Sequence, residues 1–360
     1  MIFNRGNKLI QSDIQINNIL LENVKTFKYL GLSISAKNCS FSPSIDDLSM
    51  RANRAIYALN NKIKLSKLPT KLALKLFNAQ IKPILLYGSE VWGPYMDYDY
   101  SEWEKKKIEQ VHTQYVKRIL GCSIQTSNHM IRGEVGNRSL LLDVIKRVIF
   151  YKANIKERKS SIVYNALEFE MHNNIYPNFH SFLNKFNTNT DESDCLKLYK
   201  HYKENYDIFW EEEIKKSAKA LSYTKVKNKT LFEKYLHLMR NRKHKIALTR
   251  FRLSNHELLI EKGRHAKPSI ERNDRKCFHC TEYIEDETHF LINCTLYSEN
   301  RDKLFQVCRE SCKGFDSLIT DDQKFIFILT NDDETIVQHL GYFVFNSFKI
   351  RATEQQNYLS

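Results

Sequence analysis

Four residues late in the chain have the types and the spacing of a metal site. Cys277, Cys280, His289 and Cys294 follow the pattern C-x2-C-x8-H-x4-C. Three thiolates and one imidazole complete the tetrahedral shell of a zinc ion and leave no open position, so the pattern predicts a structural rather than a catalytic site. Two alternatives are a set of unrelated buried thiols, and a site in which His279, between the first two cysteines, replaces His289.

The other cysteines do not extend this pattern. The chain shows no basic start followed by an apolar core, and no apolar run approaches the roughly 20 residues of a membrane span. We therefore expect an intracellular protein, in the nucleus or cytoplasm, with no membrane partner. In that reducing setting we expect core thiols rather than further ligands at Cys39, Cys122, Cys195, Cys308 and Cys312.

Paired carboxylates that could hold magnesium for polymerase chemistry are not evident. Asp46-Asp47 follows a predicted helix start, where acids favour the positive end of the helix dipole. Asp97 and Asp99 are not adjacent, and the pairs at 321–322 and 332–333 have the context of loops or helix caps. There is also no phosphate-binding glycine loop and no nucleophile elbow. The sequence therefore predicts no catalytic residues.

The positive charge of the chain is concentrated in one tract. Residues 215–276 hold 19 Lys and Arg against 5 Asp and Glu. This excess of 14 positive charges equals the net charge of the whole chain, +14, so the rest of the chain has equal numbers of bases and acids. Such a tract predicts binding to a polyanion, and nucleic acid is the first candidate. The alternative is a solvated helix face.

Basic and aromatic residues alternate within this tract. The rings could stack on nucleobases, or they could be the buried side of the same helices. The interleaved rings are Tyr223, Phe232, Tyr235, His237 and Phe251. We expect phosphate contacts with little sequence preference. The bases predicted to make them are Lys225, Lys227, Lys229, Arg240, Arg242, Lys243, Arg250 and Arg252.

The elements that position these residues are predicted to be mainly helical. Only 10 Gly and 6 Pro argue for long helices and few tight turns. Alternating residues before and after Asn17-Asn18 predict strands, and Ser42-Pro43 has the chemistry of a helix start. Further helices are expected over about 102–120, 140–158 and 195–260, with short helices toward the end. A linker is expected over 172–194, which is rich in Asn, Thr and Ser.

Several blocks of this chain resemble the C-terminal part of a non-LTR retrotransposon reverse transcriptase. The blocks Met1–Asn4 and Phe27–Gly31 resemble its last palm strands, and Ile81–Gly93 resembles its thumb. The match continues to about residue 305. It includes Arg132–Leu140, Arg250–Leu253, Glu261–Arg264 and the cysteine-histidine pattern.

The resemblance implies a mainly α fold with a small N-terminal β remnant of a polymerase palm. It places a palm remnant at 1–40, a helical thumb-like domain at 41–160, a basic helical linker region at 161–264, a zinc knuckle at 265–300 and C-terminal helices at 301–360. By the same resemblance, Tyr29, Leu30 and Gly31 would lie at the primer grip, where backbone holds the growing DNA end.

The family's catalytic aspartates lie before the matched blocks. The resemblance therefore implies a truncated reverse transcriptase region that is not an enzyme by itself and that binds RNA or DNA through its basic tract and zinc module. Magnesium would matter only in a complete polymerase. A competing hypothesis is a zinc-stabilised helical scaffold that binds other proteins and has no nucleic-acid function.

Overall fold

The computed structural model describes residues 10, 12–37, 40–173 and 192–359, and this part of the chain is mainly helical with two small antiparallel sheets near its start. The predicted fold class is confirmed at that level. The predicted linker over 172–194 lies mostly outside the described residues, as do Met1–Asn4 and Cys39. Of the other predicted core thiols, Cys195 and Cys308 are buried, whereas Cys122 and Cys312 are half-buried.

Both sheets are hairpins whose turns have a left-handed backbone. Their strands are β1 Gln15–Ile16, β2 Ile19–Leu20, β3 Thr26–Tyr29 and β4 Leu32–Ser35. The predicted turn residues Asn17 and Asn18 have φ of 51° and 61°, and Leu30 and Gly31 have φ of 45° and 87°. Two consecutive positive φ values suit the twist of a two-residue hairpin. The turn chemistry therefore sets the register of each pair.

Helices make up most of the other described residues. In the first half of the chain they are α1 Ser42–Ile63, α2 Thr70–Leu76, α3 Lys82–Leu85, α4 Ser89–Trp92, α5 Tyr100–Glu104, α6 Lys107–Leu120, α7 Asn128–Val135, α8 Leu140–Glu157 and α9 Ile162–His172. Later helices are α10 Glu192–Lys216, α11 Leu221–Val226, α12 Tyr235–Leu238, α13 Arg242–Arg252, α14 Leu259–His265, α15 Ser298–Ser311, α16 Asp321–Thr330 and α17 Glu334–Leu359. Short 3-10 or π turns cover Leu65–Lys67, Phe77–Ile81, Gly93–Tyr95, Ala218–Ala220, Arg272–Asp274, His289–Asn293, Thr295–Tyr297 and Phe315–Ser317.

Side-chain caps explain where several helices begin. Ser127 and Ser139 each accept a hydrogen bond from a backbone N–H in the first turn of α7 and α8. Asn241 does the same for α13, and Thr320 forms a reciprocal capping box with Gln323 at α16. Each cap satisfies backbone donors that have no partner inside the helix.

Two expectations about helix length are wrong. The helix expected over about 102–120 is divided between α5 and α6. The backbone N–H groups of Lys105 and Lys106 donate to Glu102 and Trp103, three residues back, which ends α5 before α6 begins at Lys107. The C-terminal region, expected to hold short helices, contains the 26-residue α17. Its apolar residues surround much of the helix rather than one stripe, which hides its length from a periodicity test.

The chain divides into two compact units. The first comprises Met1–Lys62, Lys75–His112 and Arg138–Tyr206, and the second comprises Ile63–Leu74, Thr113–Asn137 and Asp207–Ser360. Each unit combines separate stretches of sequence. The functional segment boundaries implied by the family resemblance stay a prediction.

A buried carboxylate organises the interior of the first unit. Glu109 is fully buried and accepts hydrogen bonds from the Trp103 indole at 2.7 Å, the Ser139 hydroxyl at 2.9 Å and the Leu140 backbone N–H at 2.8 Å. Its other oxygen lies 3.0 Å from Nδ1 of His112. This network holds the start of α8 against α6, because a buried charge must be surrounded by donors.

The second unit has an aromatic core on which the candidate site is built. The ring of Phe290 lies within 4.6 Å of Phe348 and 5.4 Å of Phe251, measured between ring centroids. Trp210 and Tyr223 are also fully buried, and both pack against the backbone at Gly133. Large rings bury much apolar area per residue, so this core stabilises the elements around the metal-ligand loop.

Candidate metal centre and basic surface

The four predicted zinc ligands come together in the second unit. The ligand atoms of Cys277, Cys280, His289 and Cys294 all lie within 4.8 Å of one another. The sulfur of Cys294 is 3.9 Å from that of Cys277 and 3.7 Å from that of Cys280. A tetrahedral zinc ion with Zn–S bonds of about 2.3 Å holds two thiolates about 3.8 Å apart, so these distances fit the ion.

The histidine of the cluster also has the surroundings of a ligand. Both ring nitrogens of His289 are buried and have no hydrogen-bond partner in the protein, which is unfavourable unless a metal takes one of them. His279, the alternative ligand, is exposed and lies outside the cluster. Among the described residues, no other group of three or more His, Cys, Asp or Glu is arranged to hold a metal ion. The geometry therefore favours His289.

Backbone hydrogen bonds shape the loop that carries the ligands. The N–H of Cys277 donates to the carbonyl of Tyr283 at 2.8 Å, and Lys276 and Ile284 form a β-bridge. This closes a tight knuckle around the first two cysteines. The ring of Tyr283 stacks on His289 with ring centroids 5.4 Å apart, and so orients the imidazole toward the sulfurs.

Thiol chemistry in the cluster favours an anion before any metal is bound. The hydrogen bond between the two thiols lowers the pKa of Cys277 well below its usual range and raises the pKa of Cys294 above its usual range. The pair of thiols therefore loses its first proton readily, and the remaining proton is shared between the two sulfurs. Thiolate is the form that binds metal.

Three consecutive acids anchor the ligand loop at different points, and sequence reasoning missed them. Glu285 accepts two hydrogen bonds from the buried guanidinium of Arg351 at 2.7 and 2.8 Å. Asp286 accepts from the backbone N–H of His289 at 2.8 Å. Glu287 accepts from the Ser254 hydroxyl at 2.9 Å and lies 3.0 Å from Nε2 of His256.

The environment of Glu287 keeps it ionised. Burial alone raises its pKa, but the hydrogen bonds from His256 and Ser222 lower it to about 2. The only sequence signal for the three anchors is a run of acids between the two ligand pairs. Their partners lie far away along the chain, so the run alone does not identify them.

Arg301 supports the last ligand from behind. Its guanidinium is buried and donates to the carbonyl oxygens of Leu291, at 3.2 Å, and of Cys294. A cation beside the cluster also reduces repulsion between the sulfurs, since opposite charges within a few ångströms favour the ionised form. The described residues therefore supply both the ligands and the groups that orient them.

Two of the bases predicted to contact phosphate are buried instead. Arg252 donates to both oxygens of Glu134 at 3.1 to 3.3 Å and to Glu233 at 3.0 Å, and its side chain is 1% exposed. Lys227 is buried against the same Glu233 and the carbonyl of Leu231. Both cations are already neutralised inside the unit. We therefore assign Arg252 and Lys227 to its interior rather than to a binding surface.

Two other predicted contacts are exposed but paired. Lys225 lies 2.7 Å from a carboxylate oxygen of Asp322, and Arg240 lies 2.6 Å from Glu334. Lys234, in the same tract, pairs with Asp332. These exposed ion pairs are weak. They nevertheless cancel much of the positive charge in this part of the tract.

The other predicted contacts remain exposed without a carboxylate partner in the described part of the chain. They are Lys229, Arg242, Lys243 and Arg250. Three of these belong to α13, and two of the three connect α13 to other backbone segments. Arg242 donates to the carbonyl of Ser66 at 2.8 Å, and Arg250 donates to the carbonyl of Gly121 at 2.7 Å.

These contacts bring further bases next to α13. Lys64 and Lys67 flank Ser66, and Arg118 precedes Gly121 by one helical turn; all three are exposed. Lys245 is half-buried one helical turn after Arg242, and burial together with the nearby Arg242 lowers its pKa. We call this set the α13 basic surface. It comprises Lys64, Lys67, Arg118, Arg242, Lys243, Lys245 and Arg250.

The interleaved aromatic residues are mostly core residues. Tyr223 and Phe251 are each 1% exposed and Tyr235 is 6% exposed, so their faces are not open to a nucleobase. Phe232 is half-buried, and Lys71 lies 5.1 Å from its ring centroid. Of the two alternatives, burial on the inner side of the helices describes Tyr223, Tyr235 and Phe251.

The hairpin predicted to resemble a primer grip lies in the first unit. Tyr29 and Leu30 are 62% and 76% exposed at the turn between β3 and β4. The Tyr87 hydroxyl donates to the carbonyl of Leu30 at 2.8 Å, and Arg51 donates to that of Gly31 at 3.1 Å. A Cβ on Gly31 would lie 3.1 Å from the Tyr87 ring, so this close approach requires glycine.

Known proteins give no match to set beside this geometry. No family model, curated protein or solved structure matches the chain. Within the part of the chain that the structure describes, no helix combines the length and the apolar character needed to cross a membrane.

Proposed function

We propose that this chain binds RNA or DNA through the α13 basic surface and that a structural zinc ion stabilises the unit that carries this surface. The observation that carries the proposal is the concentration of exposed, unpaired bases around one helix, Arg242–Arg252. Uncompensated cations at this density attract the phosphate backbone regardless of base sequence. The bases that the structure pairs or buries take no part.

The metal ion has a positional role in this proposal. Cys277, Cys280, His289 and Cys294 would hold zinc in a closed tetrahedral shell, which supplies folding energy and no open site for a reactant. Glu287 of the ligand loop accepts a hydrogen bond from Ser254, directly beyond the end of α13. Metal binding therefore stabilises the loop that supports the basic helix.

We further propose that the chain corresponds to the end of the palm, the thumb and the zinc region of a non-LTR retrotransposon reverse transcriptase. The support is the packing between two of the resembling blocks. Tyr87 of the thumb-like block donates to the carbonyl of Leu30 in the Tyr29–Gly31 block, and Gly88 approaches Leu32, the residue directly after that block. The primer-grip-like role of that turn belongs to the same proposal.

Matched sets of charge-removing variants test the binding proposal. One protein carries Arg242→Gln, Lys243→Gln and Lys245→Gln on the α13 basic surface. The control carries Lys225→Gln, Lys234→Gln and Arg240→Gln, which removes the same charge from bases that pair with Asp322, Asp332 and Glu334. Fluorescence anisotropy with a labelled oligonucleotide measures the affinity of each protein.

We expect the surface variant to lose at least about tenfold in affinity at low salt, because each lost phosphate contact removes the release of about 0.7 to 0.9 counterions. The control should lose much less. Equal losses would show that only net charge matters and would contradict the assigned surface. An acidic polypeptide that displaces the oligonucleotide at equal charge concentration would instead favour the protein-scaffold hypothesis.

A further inference from the structure

A pocket opens beside the α13 basic surface, between α13 and the last turns of α17. Its volume is about 460 Å³, which is within the range of small-molecule sites. The residues that define its character are Ala247, Arg250, Phe348, Ala352, Gln355 and Gln356. All of them belong to the second compact unit.

Arg250 connects the pocket to the basic surface. Its Nε donates to the carbonyl of Gly121 at 2.7 Å, which fixes the side chain. The residue is exposed and has no carboxylate partner among the described residues, so its terminal nitrogens remain available to an anion at the pocket rim. A fixed guanidinium can bind phosphate through two parallel hydrogen bonds.

The inside of the pocket has little net charge. Arg351 is buried and paired with Glu285, and Glu257 is paired with Lys262. Small apolar side chains, Ala247 and Ala352, leave room for a flat group between the helices. This interior suits an uncharged ring better than a second anion.

Amide groups at the end of α17 offer hydrogen bonds to such a ring. The Oε1 atom of Gln355 accepts a hydrogen bond from Arg351 at 2.8 Å, so the NH₂ group of the same amide is not engaged by that contact. Gln356 is exposed at the same end of the helix. Both lie on the pocket wall. The ring of Phe348 packs against Phe290 and His256, with ring centroids 4.6 and 6.0 Å apart.

We propose that this pocket binds one unstacked base of a single-stranded nucleic acid whose phosphates lie on the α13 basic surface. The proposal rests on the proposed function and adds strand type to it. A nucleobase is a neutral, flat ring, which suits the neutral interior of the pocket. Its edges carry hydrogen-bonding groups that the glutamine amides can reach, and its phosphate can bind the Arg250 guanidinium at the rim. A base paired within a duplex cannot enter, because its edge and faces are already engaged.

The test compares three labelled ligands with the same number of phosphates: a single-stranded oligonucleotide, an abasic single strand and a duplex. The variant Ala352→Trp fills the pocket from an exposed position, so it leaves the core intact. The control Thr353→Trp adds the same ring at the next exposed residue, which does not line the pocket. Affinities are measured by anisotropy at low salt.

We expect the wild-type chain to bind the base-bearing strand about tenfold more tightly than the abasic strand, because only a base can bond to the glutamine amides and bury its ring in the pocket. Ala352→Trp should abolish this advantage without changing affinity for the abasic strand, and Thr353→Trp should preserve it. A 2-aminopurine strand should also change its fluorescence on binding the wild-type chain.

Equal affinity of the wild-type chain for base-bearing and abasic strands would overturn the pocket proposal while leaving phosphate binding intact. Unaltered base preference in Ala352→Trp, or no 2-aminopurine response, would overturn it as well. Absence of binding to all three ligands would overturn both this proposal and the proposed function.

Discussion

Cys277 and Cys294 place their sulfurs 3.9 Å apart in a buried position, where a metal-free cluster faces an electrostatic difficulty. Ionised sulfurs at this distance repel each other, and His289 brings unsatisfied ring nitrogens into the same space. One bound cation removes both costs, because it pairs with the thiolates and accepts the imidazole lone pair. The individual residues are therefore arranged for an occupied site.

The substitution Cys277→Ser tests this at the level of one ligand. We expect the variant to lose bound zinc and to expose the 276–294 loop, since a hydroxyl is a poor replacement for a thiolate ligand. Metal analysis of the purified protein measures the first effect, and hydrogen exchange of the loop measures the second. Cys312→Ser, at a half-buried cysteine outside the cluster, is the control. Zinc content that stays the same in Cys277→Ser would contradict the ligand assignment.

Two arginines of the same helix, Arg252 and Arg242, should behave in opposite ways. Arg252→Gln leaves the buried Glu134 without its charged partner, so we expect a loss of about 3 to 5 kcal/mol in the free energy of unfolding. Arg242→Gln removes an exposed side chain and should change stability by about 0.5 kcal/mol or less. Urea unfolding of the two variants measures the difference. Similar stabilities would contradict the division of the basic tract into buried and surface members.

At the scale of elements, the turn after α7 requires a glycine. Gly136 has a φ of 66°, and a Cβ there would lie 2.5 Å from the backbone nitrogen of Phe232, next to the bridge between Val135 and Phe232. Gly136→Ala should therefore lower the free energy of unfolding by about 1 to 3 kcal/mol. Gly314→Ala is the control, because its nearest neighbours would be 3.8 Å away or more. A shift of the urea midpoint of the same size in both variants would rule out the steric explanation.

Elements with local signals were predictable from the sequence. Ser42-Pro43 begins α1 and Asn17-Asn18 turns the first hairpin, because proline in a first turn and left-handed φ depend on the residues themselves. The division between α5 and α6 depends on backbone hydrogen bonds at Lys105 and Lys106, which reach back only three residues and end α5. The apolar spacing continues across this break and does not reveal it. Apolar residues of α17 also lie outside its buried face, for example the exposed Tyr342, so a periodicity test does not reveal the length of the helix.

The difference between local and long-range signals also separates the metal cluster from the basic surface. All four candidate metal ligands lie within one short stretch, so their spacing alone predicted that they cluster. The acids that neutralise Lys225, Lys234 and Arg240 lie 94 to 98 residues away in sequence. Tertiary contacts of that range decide which bases stay free. Sequence reasoning therefore found the basic tract without finding which of its members form a surface.

At the scale of the whole molecule, the excess charge is not spread evenly over the basic tract. Part of it is buried with Glu134 and Glu233, and part is paired on the surface. Of the unpaired part, Arg242, Lys243, Lys245 and Arg250 lie together on α13. Exposed bases from outside the tract, Lys64, Lys67 and Arg118, lie within three residues of Ser66 and Gly121, whose carbonyls accept hydrogen bonds from α13. A polyanion should therefore contact fewer bases than the net charge suggests, and contact them in one place.

The salt dependence of binding tests this account most directly. Affinity of the wild-type chain for a single-stranded oligonucleotide is measured by anisotropy at a series of salt concentrations between 50 and 200 mM. If about five phosphates are contacted, affinity should fall by about 100-fold over that range, and the logarithmic plot should be linear. A nearly flat response, or no binding at 50 mM, would contradict the proposal that the α13 basic surface binds nucleic acid.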